Sequence, residues 1–147
     1  EELVVSFLDM VENHKMVVEN SGLLTVAALK HLDVKNKKVV AILSGGNMDV
    51  ITMSSVVQQG LVLRDRIFSV SVLLPDKPGE LSRVADVIAK QNRNVIKLEH
   101  NQFVSINRNA EVELRITMEA FGTEHKNQII SSLQQNGYQP KLIRASI

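Results

Sequence analysis

The sequence predicts two units in series: a short α/β segment over residues 1–62, then an α+β domain of ferredoxin-like βαββαβ order over residues 67–147. Three observations carry that division. From Ala110 to Ala120 the chain alternates without a fault, with Val112, Leu114, Ile116 and Met118 set against Glu111, Glu113, Arg115, Thr117 and Glu119, the pattern of a strand with one buried face. Around it, apolar patterns follow in the order strand, helix, strand, strand, helix, strand, which is the split βαβ unit. Upstream, Val39 to Leu43 is short and continuously apolar, the profile of a strand buried on both faces in a parallel sheet, and helical stripes flank it.

In the first unit, Leu3, Val4, Phe7, Leu8 and Val11 share one helical face, with Asp9, Glu12 and Asn13 opposite. Met16 to Val18 reads as a short extended piece. After the Ser21-Gly22 break, Leu24, Ala27, Ala28 and Leu32 recur at helical spacing, and Lys35 to Lys38 makes a polar turn. The predicted strand Val39–Leu43 breaks into Ser44-Gly45-Gly46-Asn47. Val50, Met53, Ser54 and Val57 then give another helix, with Gly60 expected as its left-handed cap. The mixed, charged stretch from Leu61 to Arg66 marks the boundary.

In the second unit, Phe68, Val70, Val72 and Leu74 alternate with Ser69 and Ser71 as a half-buried strand. Pro78 suits a first helical turn, and Leu81, Val84, Ala85 and Ile88 form the stripe of the helix that follows. Ile96 and Leu98 alternate with Lys97 and Glu99. Thr123 is expected to cap a helix carrying Ile129, Ile130 and Leu133, which Gly137 ends. Tyr138 to Ile143 is a last strand, and Pro140 puts it at an edge.

Composition removes several function classes. The chain has 147 residues, 44% hydrophobic and 22% charged, and 17 basic against 16 acidic residues give a formal net charge of +1. That balance supplies no long-range field for nucleic acid or anionic lipid, so a ligand must be recognised locally. With no cysteine there is no disulfide, thiolate metal site or cysteine nucleophile, and a reducing cytoplasm is the expected location. No apolar stretch reaches membrane-spanning length. His14, His31, His100 and His125 are dispersed without metal spacing, so no metal site is expected. The open sheet face would carry Lys97, Glu99, Glu111, Glu113 and Arg115, in a chain with 3% aromatic residues, which does not suit base stacking in RNA recognition. The chain opens on Glu1-Glu2 and runs straight into an amphipathic pattern, as expected of a fragment of something longer.

Two short stretches could bind a ligand. In Asp76-Lys77-Pro78-Gly79-Glu80-Leu81, either Asp76 caps a plain loop, or Gly79 lets the backbone approach a ligand whose acceptor takes the free N–H groups of the next helical turn. In Ser44-Gly45-Gly46-Asn47, either the glycines make a structural turn, or they bring backbone and a hydroxyl against a cofactor; neither G-x-x-x-x-G-K-[ST] nor G-x-G-x-x-G is present.

The D-x-P-G-x-L pattern at Asp76, Pro78, Gly79 and Leu81, within this strand order, resembles an ACT domain, a family of small amino-acid-binding regulatory modules, over Ile67–Ile143. The resemblance implies an amino-acid effector, such as branched-chain isoleucine, held by Asp76, Pro78, Gly79, Glu80 and Leu81 facing Asn94, Val95 and Ile96 across a subunit contact. It also implies a homo-oligomer of at least two chains.

The first unit is similar to the C-terminal end of the catalytic domain in pyridoxal-phosphate-dependent threonine dehydratases, through Val17-Val18-Glu19-Asn20-Ser21-Gly22, Ala27-Ala28-Leu29, Lys37 to Asp49, and Gln59-Gly60-Leu61-Val62. Asn20 and Leu23 stand where that family usually has smaller residues. The resemblance implies that Ser44 directs its hydroxyl to the pyridine nitrogen, that Gly45 and Gly46 let the backbone pass the ring, and that Asn47 pins the turn. A neutral hydroxyl partner leaves the ring a weaker electron sink than a carboxylate would, which favours elimination over transamination. The family's S-x-K-x-x-G-like lysine segment and glycine-rich phosphate loop are absent from the sequence. No catalytic residue is therefore expected in this chain, and pyridoxal phosphate is expected in the parent enzyme rather than on this fragment, with the remainder of the catalytic domain as partner. An ACT half serving only oligomerisation, and a serine dehydratase or racemase as parent, remain the alternatives.

Overall fold

The computed structural model describes residues 1–101 and 111–145, in two units, Glu1–Leu63 and Arg64–Ile147.

In the first unit, helix α1 (Glu2–Asp9) runs into a π-helical turn, Met10–His14, which ends on Lys15 at φ 58°. Helix α2 (Leu24–Ala28) sits between two 3₁₀ turns, Ser21–Leu23 and Leu29–His31. Helix α3 spans Val50–Leu63. Phe7, Met10, Val18, Leu23 and Val56 form the core, with Leu3, Val4, Val11, Leu43, Met48, Met53 and Val57 packed on it. The amphipathic face expected of α1 buries Phe7 and Leu8 as its spacing requires, and Leu23 is fully buried. Asp49 caps α3: its Oδ1 accepts the Thr52 N–H at 2.9 Å and its Oδ2 accepts the Thr52 hydroxyl at 2.5 Å.

Two expectations for this unit are corrected. Val39–Leu43 is not a strand. A strand buried on both faces needs a ladder on each edge, and none of the described residues supplies one, so the run is irregular. Val40 is 89% and Ile42 74% exposed, and only Leu43 reaches the core. Nor does Gly60 end a helix. It lies inside α3, buried, where a Cβ would stand 3.4 Å from Leu8 Cδ2 and 3.5 Å from Val4 Cγ1, so the missing side chain serves the approach of α1 rather than a cap.

The second unit contains β1 (Ile67–Pro75), α4 (Glu80–Ala89), β2 (Val95–Asn101), β3 (Glu111–Glu119), α5 (Thr123–Gln135) and β4 (Lys141–Ile143). The sheet order is β2-β3-β1-β4 with every pair antiparallel, the ferredoxin-like arrangement. One face carries the core: Phe68, Val70, Val72 and Leu74 of β1 and Val112, Leu114, Ile116 and Met118 of β3, under Val84, Val87 and Ile88 of α4 and Ile129 and Leu133 of α5. The two alternating strands thus bury the residues that their period selects; Ala110 lies outside the described residues.

Several details differ from the sequence reading. The buried stripe of α4 is Val84, Val87 and Ile88, and Leu81 and Ala85 flank it on the exposed side. The helix starts after Gly79, so Pro78 precedes its first turn instead of occupying it. Strand β2 is an edge strand with a bulge between Val95 and Lys97, and Val95, Ile96 and Leu98 stay about two-fifths exposed. Strand β4 is shorter than Tyr138 to Ile143. It begins after Pro140, which has no N–H to give a ladder, and pairs with β1 alone as an edge.

Thr123 is the first residue of α5 and not its cap; the cap position is Gly122. No side chain caps a backbone N–H there; Asp65 instead ties down the first turn, accepting the Thr123 hydroxyl and the Lys126 ammonium, each at 2.7 Å. Burial pushes the Asp65 carboxyl up, and the bonds from Lys126 and Thr123 outweigh it and hold the group below its ordinary value. Because the folded pKa is depressed, the stabilisation is complete above the unfolded value of about 3.9 and is lost as pH falls through the folded value. Urea midpoints of the second unit between about pH 2 and pH 6 should fall on the acid side, and Asp65→Asn should lower the neutral midpoint and flatten that acid limb.

Candidate functional site

In the first unit the residues of interest lie on an irregular turn, and Ser44, Gly45, Gly46 and Asn47 are all exposed. Two close contacts fix the turn. A Cβ on Gly22 would stand 1.8 Å from the Ser44 carbonyl oxygen and 2.8 Å from Val18 Cγ1. Gly45 has φ +77°, and a Cβ there would fall 2.3 Å from Glu19 Cδ. The Glu19 N–H donates to the Gly45 carbonyl at 3.2 Å, the Ser21 hydroxyl to Glu19 Oε1 at 2.5 Å, and the Thr25 hydroxyl to the Ile42 carbonyl at 2.9 Å. The segment from Glu19 to Thr25 therefore holds the segment from Ile42 to Gly45 in place.

Gly46 differs, because a Cβ there would meet only the Val17 carbonyl, at 3.6 Å. The turn thus presents the exposed Ser44 next to two residues without side chains, of which only Gly46 borders open space. Asn47 does not pin the turn: its side chain has no hydrogen-bond partner among the described residues, and Asp49 holds the adjoining helix start. Sequence reasoning assigned no role in this turn to Glu19, Gly22, Thr25 or Asp49. Only Asp49 had a local signal, an acidic residue immediately before a helical stripe.

In the second unit the loop after β1 turns tightly. The Lys77 N–H donates to the Pro75 carbonyl at 2.8 Å and the Glu80 N–H to the Lys77 carbonyl at 3.4 Å. Gly79 is the cap position of α4 at φ +92°, with no side-chain cap, so Asp76 is not the cap. Nothing lies within 4 Å of where a Gly79 Cβ would be; the backbone conformation, rather than crowding, demands glycine. The N–H groups of Leu81 and Ser82 have no partner among the described residues. Asp76, Pro78, Gly79 and Leu81 are exposed, while Glu80 is half-buried and accepts from Arg83 at 2.8 Å.

Asn94, Val95 and Ile96 are also exposed, but not beside that loop. Pro75 pairs with Glu111 and Phe68 with Met118, while Met118 pairs with Val95 and Glu113 with Asn101. Val95 is thus level with Phe68, seven residues along β1 from Pro75, or about 23 Å at strand rise. One chain therefore places the two halves of the expected effector site at opposite ends of the sheet.

No family model matches the chain. Among curated proteins it is similar to the L-threonine ammonia-lyase of Geobacter sulfurreducens, 37% identical over 140 residues that cover 94% of this chain and 35% of that protein. It is also similar to the L-threonine ammonia-lyase of Thermotoga maritima, 31% identical over 144 residues, 97% of this chain and 36% of that one. The chain spans about a third of the length of these relatives. Among solved structures, a prephenate dehydratase from Streptococcus mutans overlays with a TM-score of 0.45 at 23% identity, covering 53% of this chain and 41% of that one.

Proposed function

From a chain that corresponds in sequence, over nearly its whole length, to the C-terminal part of the threonine dehydratases, we propose the regulatory end of an enzyme that converts L-threonine to 2-oxobutanoate and ammonia. Residues 1–62 complete its catalytic domain, and residues 67–147 form an ACT domain that binds an amino-acid effector. The observation that carries this reading is the extent of the similarity, which runs through both units. The exposed Val39, Val40, Ile42, Val50 and Ile51 support it, since an apolar surface of this kind suits burial by the remainder of a catalytic domain.

The cofactor of such an enzyme, pyridoxal phosphate, supplies electron withdrawal when bound. This chain would contribute the Ser44 hydroxyl as a neutral partner for the ring nitrogen, with Gly45 and Gly46 leaving backbone without side chains beside it. It has no lysine in the expected setting and no phosphate loop. Mixed with pyridoxal phosphate and dialysed, the isolated chain should keep no stoichiometric visible absorbance; a retained chromophore would contradict this.

For the effector, a second copy resolves the separation of the two half-sites. Two β2 edges paired antiparallel about a twofold axis set Val95 of one copy opposite Asn101 of the other, at the sheet end that bears the partner copy's Asp76–Leu81 loop. The free N–H groups of Leu81 and Ser82 can then take an α-carboxylate, and the apolar ends of Leu81 and Ile96 can cover a branched side chain. At a hundredfold excess over its Kd the effector should stabilise the folded dimer by roughly 2.7 kcal/mol. Gly79→Val, by straining a backbone at φ +92°, should abolish that gain while costing about 1–3 kcal/mol itself. A thermal-shift panel of the twenty amino acids on both proteins tests this. A flat panel, with dimers still present by sedimentation, would favour a module that only oligomerises.

A further inference from the structure

One cation of the second unit is buried without the partners that its donors require. Arg93 follows the turn that ends α4, and its side chain is 17% exposed. Its Nε and Nη2 are buried and have no acceptor among the described residues. The carboxylate of Glu119 stands 3.9 Å away, and from Nη1, not from that edge of the guanidinium. Buried donors of a charged group are costly to leave unpaired. Nε and Nη2 together form the edge on which a guanidinium receives two oxygens of one anion.

The backbone around Arg93 is tied down between the end of β3 and the start of α5. The Glu119 N–H donates to the Asn94 carbonyl at 3.2 Å, and Gln91 Nε2 donates to the Ser132 hydroxyl at 3.2 Å. The Phe121 N–H donates to His125 Nδ1 at 3.3 Å, so the His125 proton sits on Nε2, which donates to the Gln91 carbonyl at 3.2 Å. That pattern is a neutral imidazole. Over the guanidinium lies the Phe121 ring, its centre 3.0 Å from Arg93 Cζ, although Phe121 is 77% exposed. Rotation about the Phe121 Cα–Cβ bond uncovers that plane without any change in the backbone. Segment 64–66 runs along the same corner, where the Ala120 N–H donates to the Arg66 carbonyl at 2.8 Å. Arg64, Arg66, Arg93 and Lys126 there outnumber Asp65, Glu119 and Glu124, a local cationic excess.

We propose that Arg93 anchors an oxyanion site for a phosphate group, free or esterified, and that Phe121 is its cover: the ring turns aside, and two oxygens of one phosphate take the Nε and Nη2 hydrogens together. The planar fork of a guanidinium matches that pair of oxygens. A phosphate fits better than a carboxylate because the incoming group must replace the contact between ring and cation, and attraction to a fixed cation grows with the charge of its partner. The site uses neither the Asp76–Leu81 loop nor a second copy, so it does not rest on the effector reading above.

The test is NMR titration of the intact chain with inorganic phosphate, methyl phosphate and acetate at constant ionic strength, following the Arg93 Nε–H signal and the Phe121 amide. Both phosphates should shift these signals saturably, and acetate should bind more weakly. A preference for inorganic phosphate would mark a free ion as the ligand, and a preference for methyl phosphate an esterified one; either supports the site. Arg93→Lys keeps the charge and loses the fork, and should weaken phosphate about tenfold or more. Phe121→Ala, a change at an exposed side chain, should tighten it about two- to fivefold, the worth of a cation–π contact at an exposed position. Gly79→Val should leave phosphate binding unchanged, which separates this site from the effector loop. The proposal is overturned if neither the unaltered chain nor Phe121→Ala shows a saturable shift at Arg93, if Arg93→Lys binds phosphate as tightly as the unaltered chain, or if acetate binds as tightly as phosphate.

Discussion

Gly22→Ala should disorder the first unit while leaving the second unit's unfolding where it was. The added methyl would lie 1.8 Å from the Ser44 carbonyl oxygen, 2.9 Å from the Ser44 carbonyl carbon and 2.8 Å from Val18 Cγ1. Two of those atoms are backbone, which cannot rotate aside as a side-chain tip can. The Ser44 turn must back away, and with it go the Glu19 N–H to Gly45 carbonyl bond and the Thr25 grip on Ile42. Overpacking a close site costs about 1–3 kcal/mol and occasionally more, and the backbone partners put Gly22 at the upper end. Gly46→Ala is the control, because its methyl would meet only the Val17 carbonyl at 3.6 Å, and its effect should stay within about 0.5 kcal/mol. Amide hydrogen exchange across residues 19–25 and 42–45 checks both. Equal protection in Gly22→Ala and the unaltered chain would mean that the two segments do not meet as described.

That contact also marks where the sequence ceased to be readable. Strands β1 and β3 were legible because period-two alternation and one-sided burial are local facts, visible before any partner strand is known. The left-handed Gly137 after α5 was legible for the same reason. The run Val39–Leu43 misled because continuous apolarity reports that a segment wants burial, and strand form also requires neighbouring edges that the described residues do not provide. Gly60 misled because a glycine near the end of an apolar stripe serves equally as a cap or as a place for another helix, and only the approach of Leu8 and Val4 decides between them. The Asp65 bond to Thr123 at the start of α5 joins residues 58 positions apart, and the hold of Glu19 on Gly45 is likewise a tertiary contact without a spacing rule. The candidate sites divide along the same line. The Gly79 loop has a local signature, whereas the separation of Asn94–Ile96 from it exists only once the register is fixed.

Leu114→Ala should produce the larger loss in the second unit, and Leu81→Ala almost none, although the sequence offers both leucines as members of apolar patterns. Leu114 sits on β3 between Val72 of β1 and His100 of β2, with no exposed surface, in the core that the helices cover. Leucine-to-alanine changes at such sites cost about 2.7–5 kcal/mol, the range reflecting how far the surroundings relax. In a unit of this size each kcal/mol lowers the melting temperature by about 4–8 °C, so a fall of more than about 10 °C is expected. Leu81 is 42% exposed, and without ligand its removal should fall within about 0.5 kcal/mol. The pair also discriminates between two phases of α4. If the buried stripe ran through Leu81, Val84, Ala85 and Ile88 as the spacing alone suggests, Leu81→Ala would approach the cost of Leu114→Ala and Val87→Ala would be mild. With the stripe on Val84, Val87 and Ile88, the order reverses, because Val87 lies against the sheet and Leu81 does not. Thermal melts of the three variants without ligand decide which face α4 turns to the core, and with it whether Leu81 is free to meet an effector.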